Sequence, residues 1–209
     1  VDNPNGVLYG RLPGFGLTEL GHSMAARAAE YLVDSGADIT RVISSPLLRA
    51  QLTAAPTAAA YGLTIESDPR LIESDNVFEG MPVNSNRAML ANPKYYKYYC
   101  NPLRPSWGEP YRDIASRMSA ALSSALRAAR GHEALVVSHQ NPIVTLTRFV
   151  NGQPLAHAPK SRHCALASIT SFIFSGATLV GTSYAEPAAD LVAIAKDMTP
   201  GDSQADLRR

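Results

Sequence analysis

The stretch that most constrains this fold is 134–142, ALVVSHQNP, an apolar run that breaks abruptly into a polar turn carrying one histidine. Leu135–Ser138 reads as a buried strand, because a short β-rich apolar run bounded by polar punctuation suits an inner parallel strand. His139 then falls at its carboxyl end, and Pro142 can open the following helix, where a missing N–H costs nothing. Ligands of open α/β sheets bind beyond the carboxyl ends of strands, and helix N-termini offer free N–H groups to phosphate. A lone histidine in a turn is more often structural than catalytic, so the rest of the chain has to decide its role.

Elsewhere the same punctuation recurs. Residues 1–17 hold four glycines and two prolines and read as an irregular loop. Thr18 can cap a helix with Leu20, Met24, Ala28 and Leu32 along one face. Arg41–Ser44 is a short strand, followed at once by a helix with Ser45 as its cap, Pro46 at its start and Arg49 in its first turn. A strand is expected near Leu63–Glu66, then an irregular acidic loop, 68–82, whose carboxylates of interest are Glu73 and Glu79. From Asn84 to Pro110 four tyrosines and Trp107 mix with Arg87, Lys94, Lys97 and Arg104. This segment reads either as an insertion over the site or as a short helix whose tyrosines are its apolar face. A helix over Arg112–Arg130, closed by Gly131, leads into the opening strand. Ala165–Phe174 and Leu179–Tyr184 form an antiparallel hairpin at the sheet edge, and Ala189–Lys196 a short helix before a mobile polar tail. The alternation gives an α/β three-layer sandwich, a mostly parallel central sheet with helices on both faces. One domain, 1–186, is expected, with 187–209 as the C-terminal helix and tail.

Bulk composition narrows the function classes. The 209 residues are 45% hydrophobic and 18% charged with a formal net charge of +1, enough for one core and too neutral to recruit nucleic acid or an anionic membrane. Cys100 and Cys164 form no CxxC pair, so neither a disulfide framework nor a cysteine zinc site is indicated. No long apolar span or leader is visible, and a cytoplasmic location is expected. There is no GxSxG elbow, no GxxxxGK[ST] loop and no HExxH helix, and Gly14-Phe-Gly16 meets its next glycine at Gly21, two positions too late for a dinucleotide fingerprint. What remains is Arg11, Arg49, Glu73 and His139, each beside a turn signal, a set suited to phosphoryl transfer. Such a transfer needs cations and N–H donors around the phosphoryl oxygens and an acid for the leaving oxygen.

Four segments carry a resemblance: Gly10–Gly21 (GRLPGFGLTELG), Ser44–Ala54 (SSPLLRAQLTA), Asp68–Gly80 (DPRLIESDNVFEG) and Val136–Ile143 (VVSHQNPI). In this order they resemble signature segments of the histidine phosphatase superfamily, the cofactor-dependent phosphoglycerate mutase-like proteins. The resemblance implies a phosphoglycerate mutase-like fold, with Arg49 as a phosphate-pocket arginine, Glu73 as proton donor to the leaving group and His139 as the second pocket histidine. It places Arg11 at the substrate mouth. Gln140, where the family usually has glycine, joins the phosphate-binding set, and Arg104 the substrate-binding one. The implied reaction runs through a phosphohistidine on a small phosphorylated substrate without metal or cofactor; a homodimer is a candidate assembly.

The resemblance also carries a departure. The family's nucleophilic histidine lies in an RHG motif at the end of the first strand, just before the loop with which this sequence starts. The expectation is therefore a member shortened at its N-terminus, lacking a central strand and inactive as these 209 residues. Arg162-His163 is the only other Arg-His pair, but it follows Ala158-Pro-Lys-Ser161 and no apolar strand, so it is set aside as a relocated nucleophile. The 65 residues between Glu73 and His139 suit the phosphatase branch better than the mutases. A mutase-type phosphotransferase and an inactive member that binds a phosphorylated ligand or partner are the alternatives.

Overall fold

In the computed structural model, residues 1–83, 88, 91–98, 107–158 and 161–195 are described. Arg104, Arg87, Cys100 and the tail beyond residue 195 lie outside them. At the centre is β1 (Ile39–Ser44), paired in parallel with β2 (Ile65–Ser67) on one side and β3 (Glu133–Val137) on the other. Val42 stands level with Ile65 and Leu135. Because all three strands run the same way, their carboxyl ends, and the loops that follow Ser44, Ser67 and Val137, gather at one edge.

The period-two alternation of β1 and β3 sends their side chains into two cores. Val42, Leu135 and Val137 pack with Leu32 of α1 (Glu19–Asp34) and with Ala54 and Ala58 of α2 (Leu48–Tyr61). Ile43, Ala134 and Val136 pack on the other face with Ile114, Met118 and Ala121 of α3 (Tyr111–Ala129) and Leu146 of α4 (Gln140–Val150). Among the described strands β3 is an edge strand and residues 134–137 are half-buried, where an inner buried strand was expected; its two faces still meet the two apolar cores, which is why the run does not alternate with polar residues. The three-layer α/β sandwich expected from the sequence is thus present.

The helix termini show where local signals hold. Thr18 Oγ1 accepts the N–H of Gly21 at 3.1 Å, capping α1 as expected. Ser45 is not the N-cap of α2: the helix starts at Leu48 with Leu47 at the cap position, and the Ser45 hydroxyl, which accepts the Leu47 N–H at 3.4 Å, also meets His139. Pro142 sits in the first turn of α4, which starts at Gln140 with His139 at the N-cap position. α3 ends one residue earlier than Gly131 suggests, with Arg130 itself left-handed at φ 52°.

The hairpin β4 (Ile169–Ser175) and β5 (Thr178–Ala185) forms its own two-stranded antiparallel sheet, not an edge extension of the parallel ladder. Its position comes from side chains: Ile169 reaches the α1–α2 core and Phe172 the α3–α4 core. A cavity of about 260 Å³ lies between α1, the start of β3 and the hairpin, lined by Tyr31, Leu32, Ala37, Glu133, Ile169 and Tyr184. The short α5 (Ala189–Val192) packs back near α1, where Asp190 meets Arg27 at 3.4 Å. Among the described residues no helix is long and apolar enough to cross a membrane.

Candidate active site

The site is assembled where β1 and β3 end. Ser45, one residue past β1, donates its N–H to Val137 O at 2.9 Å and so extends the ladder. Its hydroxyl lies 2.8 Å from His139 Nε2, with both side chains buried. Burial, then the nearby guanidiniums of Arg49 and Arg117, hold the His139 imidazole well below its ordinary pKa. It is therefore neutral at neutral pH and presents a donor and an acceptor instead of a charge.

Arg49, one residue into α2, supplies the cation. It is 7% exposed, donates to Gly10 O at 2.7 Å and lies 4.7 Å from the centre of the Tyr9 ring. The irregular N-terminal loop is thus folded back over the pocket by its own arginine contact. Gly10 has φ 36°, and a Cβ there would collide with the Glu79 carboxyl, so the close approach needs glycine. Glu79 Oε1 in turn accepts the Arg11 N–H at 2.8 Å.

Glu73 enters from the loop after β2 and is tied to α4. Asn141 Nδ2 donates to Ser74 Oγ at 2.8 Å, and Ser74 donates both its N–H and its hydroxyl to Glu73 Oε1, at 2.8 and 3.2 Å. Ser138 Oγ also donates to Leu71 O at 2.7 Å, clamping the same loop to the end of β3. Burial raises the Glu73 pKa, against the opposing pull of the Ser74 N–H and of the Arg49 and Arg162 guanidiniums. A carboxyl whose proton is held more tightly through burial is suited to donating it to a leaving oxygen.

Arg11 is engaged in structure. Its Nε donates to Glu73 O at 2.7 Å and its Nη2 pairs with Glu109 at 2.9 Å. Arg117 grips the same Glu109 at 2.8 Å and donates to Arg70 O at 2.6 Å. Gln140 turns its amide to Cys164 O at 3.1 Å. Arg104 lies outside the described residues. In the 84–110 segment the 3-10 turn Pro93–Tyr98 sets Tyr95 and Tyr98 edge-on against Phe78, at 5.4 and 5.8 Å, so these two rings pack as an apolar face. Tyr96 is exposed.

The remaining histidines stand apart from that arrangement. His132 pairs with Asp38 at the amino end of β3, and His22 is exposed on α1. His163 is exposed and lies against the Tyr184 ring at 4.1 Å. His157 accepts from Arg162 at 3.2 Å. Among the described residues no group of three or more His, Cys, Asp or Glu side chains gathers to hold a metal ion. Ser45, Ser74, Asn141 and Tyr9 were not singled out as site residues from the sequence; three of them lie within the quoted segments, beside the residues they hold.

Comparison with known proteins follows the same line. The Histidine phosphatase superfamily (branch 1) profile matches residues 2–186. The uncharacterized protein Rv0525 of Mycobacterium tuberculosis is 50% identical over 189 residues, 90% of this chain and 93% of that protein. A Yersinia pestis protein named as a probable phosphoglycerate mutase, GpmB, is 36% identical over 160 residues, 73% of this chain and 72% of its own. Among solved structures, Bacillus stearothermophilus YhfR superposes with a TM-score of 0.67 at 25% identity, covering 82% of this chain and 86% of that one. The mycobacterial glucosyl-3-phosphoglycerate phosphatase Rv2419c in complex with VO3 superposes with a TM-score of 0.57 at 26% identity, covering 73% and 77%. With the profile running across nearly all of the described fold, this chain belongs to the histidine phosphatase superfamily.

Proposed function

We propose that the protein is a phosphomonoester hydrolase of the phosphohistidine type. The observation that carries the reading is the convergence of a buried arginine, a neutral histidine and a glutamate whose pKa burial raises, around the ends of β1 and β3. Arg49 neutralises the phosphoryl oxygens, His139 donates a hydrogen bond to them, and Gln140 adds the first N–H of α4. Glu73 gives its proton to the leaving oxygen as the P–O bond breaks, then takes one from the water that hydrolyses the phosphoenzyme. Arg11 holds the Glu73 main chain and borders the mouth. This reading assigns the nucleophile to a histidine outside this sequence, in the RHG segment that the family resemblance implies.

Two measurements test it on the natural gene product. Glu73→Gln should slow hydrolysis of an alkyl phosphate by roughly 10²–10⁴, the usual contribution of a positioned proton donor. Near-normal turnover would remove Glu73 from the acid role. A phosphoenzyme trapped with labelled substrate should be acid-labile and base-stable; a natural chain that binds phosphate but traps no phosphoenzyme would instead be a phospholigand-binding member of the family.

A further inference from the structure

Ser45 meets His139 where a count of donors and acceptors fixes the place of one proton. The serine main chain is held from both sides: its N–H donates to Val137 O at 2.9 Å, and its carbonyl accepts the Gln51 side-chain amide at 2.7 Å and the Ser44 hydroxyl at 3.1 Å. The residue is fully buried, so its hydroxyl is closed to solvent. A serine hydroxyl has one proton to give and two lone pairs to offer. One lone pair takes the Leu47 N–H at 3.4 Å. Among the described residues, the acceptor within reach of the hydroxyl proton is His139 Nε2 at 2.8 Å. If Nε2 carried the imidazole proton instead, Oγ would accept twice and its own proton would be buried without a partner, which folded proteins rarely tolerate. Nε2 is therefore the acceptor, and the proton of the neutral ring sits on Nδ1.

That leaves the Nδ1–H to be placed. Among the described residues it makes no hydrogen bond to the protein. His139 stands at the N-cap position of α4, yet its side chain accepts none of the free N–H groups there, as an unprotonated Nδ1 could. Burial and the guanidiniums of Arg49 and Arg117 keep the ring from taking a second proton. A neutral imidazole helps a phosphoryl oxygen only through its N–H; its other nitrogen sets one lone pair against another. Ser45 decides which of the two His139 presents. We propose that Ser45 is a positioning residue that fixes His139 as the Nδ1–H tautomer, so that Nδ1 donates to the phosphoryl group while Nε2 is held by the serine hydroxyl. This rests on the phosphatase reading above.

Long-range proton–nitrogen correlation NMR of the natural gene product, labelled in histidine, reports which ring nitrogen carries the proton. The His139 signals are those missing from His139→Gln. At neutral pH the wild type should show the proton on Nδ1, and inorganic phosphate should displace the Nδ1 signal more than the Nε2 signal. Ser45→Ala should move the proton at least partly to Nε2. By isothermal titration the same variant should bind inorganic phosphate at least about tenfold more weakly, equivalent to about 1.4 kcal/mol. A merely structural serine would weaken binding without moving the proton, so an unchanged tautomer in Ser45→Ala overturns the assignment, as does an unchanged affinity. The wild-type spectrum decides the matter even if the alanine variant does not fold: a proton on Nε2 in a protein that binds phosphate sinks this inference alone. If the wild type binds no phosphate, the phosphatase reading falls and the role of Ser45 with it.

Discussion

At Glu73 and His139 burial pushes two side chains toward neutrality from opposite directions, and the two leave opposite marks on stability. Glu73 has a raised pKa in the folded state, so its contribution is present below the ordinary glutamate range and is lost as pH rises through the folded value. His139 has a lowered pKa, so the unfolded chain takes a proton near the ordinary histidine value that the folded chain refuses, and stability falls as pH drops below it. Glu73→Gln removes only the first effect. In urea titrations the variant should gain stability relative to wild type on going from pH 5 to pH 8. A gap that shrinks at pH 8 would mean that Ser74, Arg49 and Arg162 hold the ionised carboxylate better than burial penalises it. The residues that titrate or carry charge were readable from the sequence, because Arg49, Glu73 and His139 each sit beside turn punctuation. Their supports were less so. Ser45 and His139 are 94 positions apart and Ser74 and Asn141 are 67 apart, and no local pattern reports a hydrogen bond across such distances. Ser45 shows the cost: its local signal is a helix cap, and its hydroxyl is shared between the Leu47 N–H and a tertiary partner.

Among the elements, the longest periodic stretches were the most legible. α1, α3 and the strand before His139 lie within a few residues of where apolar spacing puts them, since their buried faces and their sequence periods agree. Ends were less legible, and α3 illustrates why. Gly131 marks the stop, yet the chain turns left-handed already at Arg130, φ 52°, and stays there at Gly131, φ 94°. A non-glycine residue in that region costs about 1 kcal/mol or more relative to glycine. Arg130 is exposed and makes no ion pair among the described residues that would offset this. Arg130→Gly should therefore stabilise the protein by about 1 kcal/mol in chemical denaturation, with an unchanged denaturant slope. A loss of stability would show that the arginine side chain contributes more at this terminus than its backbone conformation costs.

For the molecule as a whole, the parallel sheet and the hairpin are joined by side chains and loops with no ladder between them. β1 is bonded on both sides and covered on both faces, with Val42 and Ser44 fully buried. The hairpin exposes Ile173 and Val180 and borders the cavity near Glu133. Fewer long-range hydrogen bonds give a unit a lower opening free energy, so native-state hydrogen exchange should separate the two. Amides of Val42–Ser44 should exchange only through global unfolding, while those of β4 and β5 exchange through a smaller opening with a shallower denaturant slope. Equal protection and slope in both would mean that Ile169 and Phe172 alone lock the hairpin into the global unit.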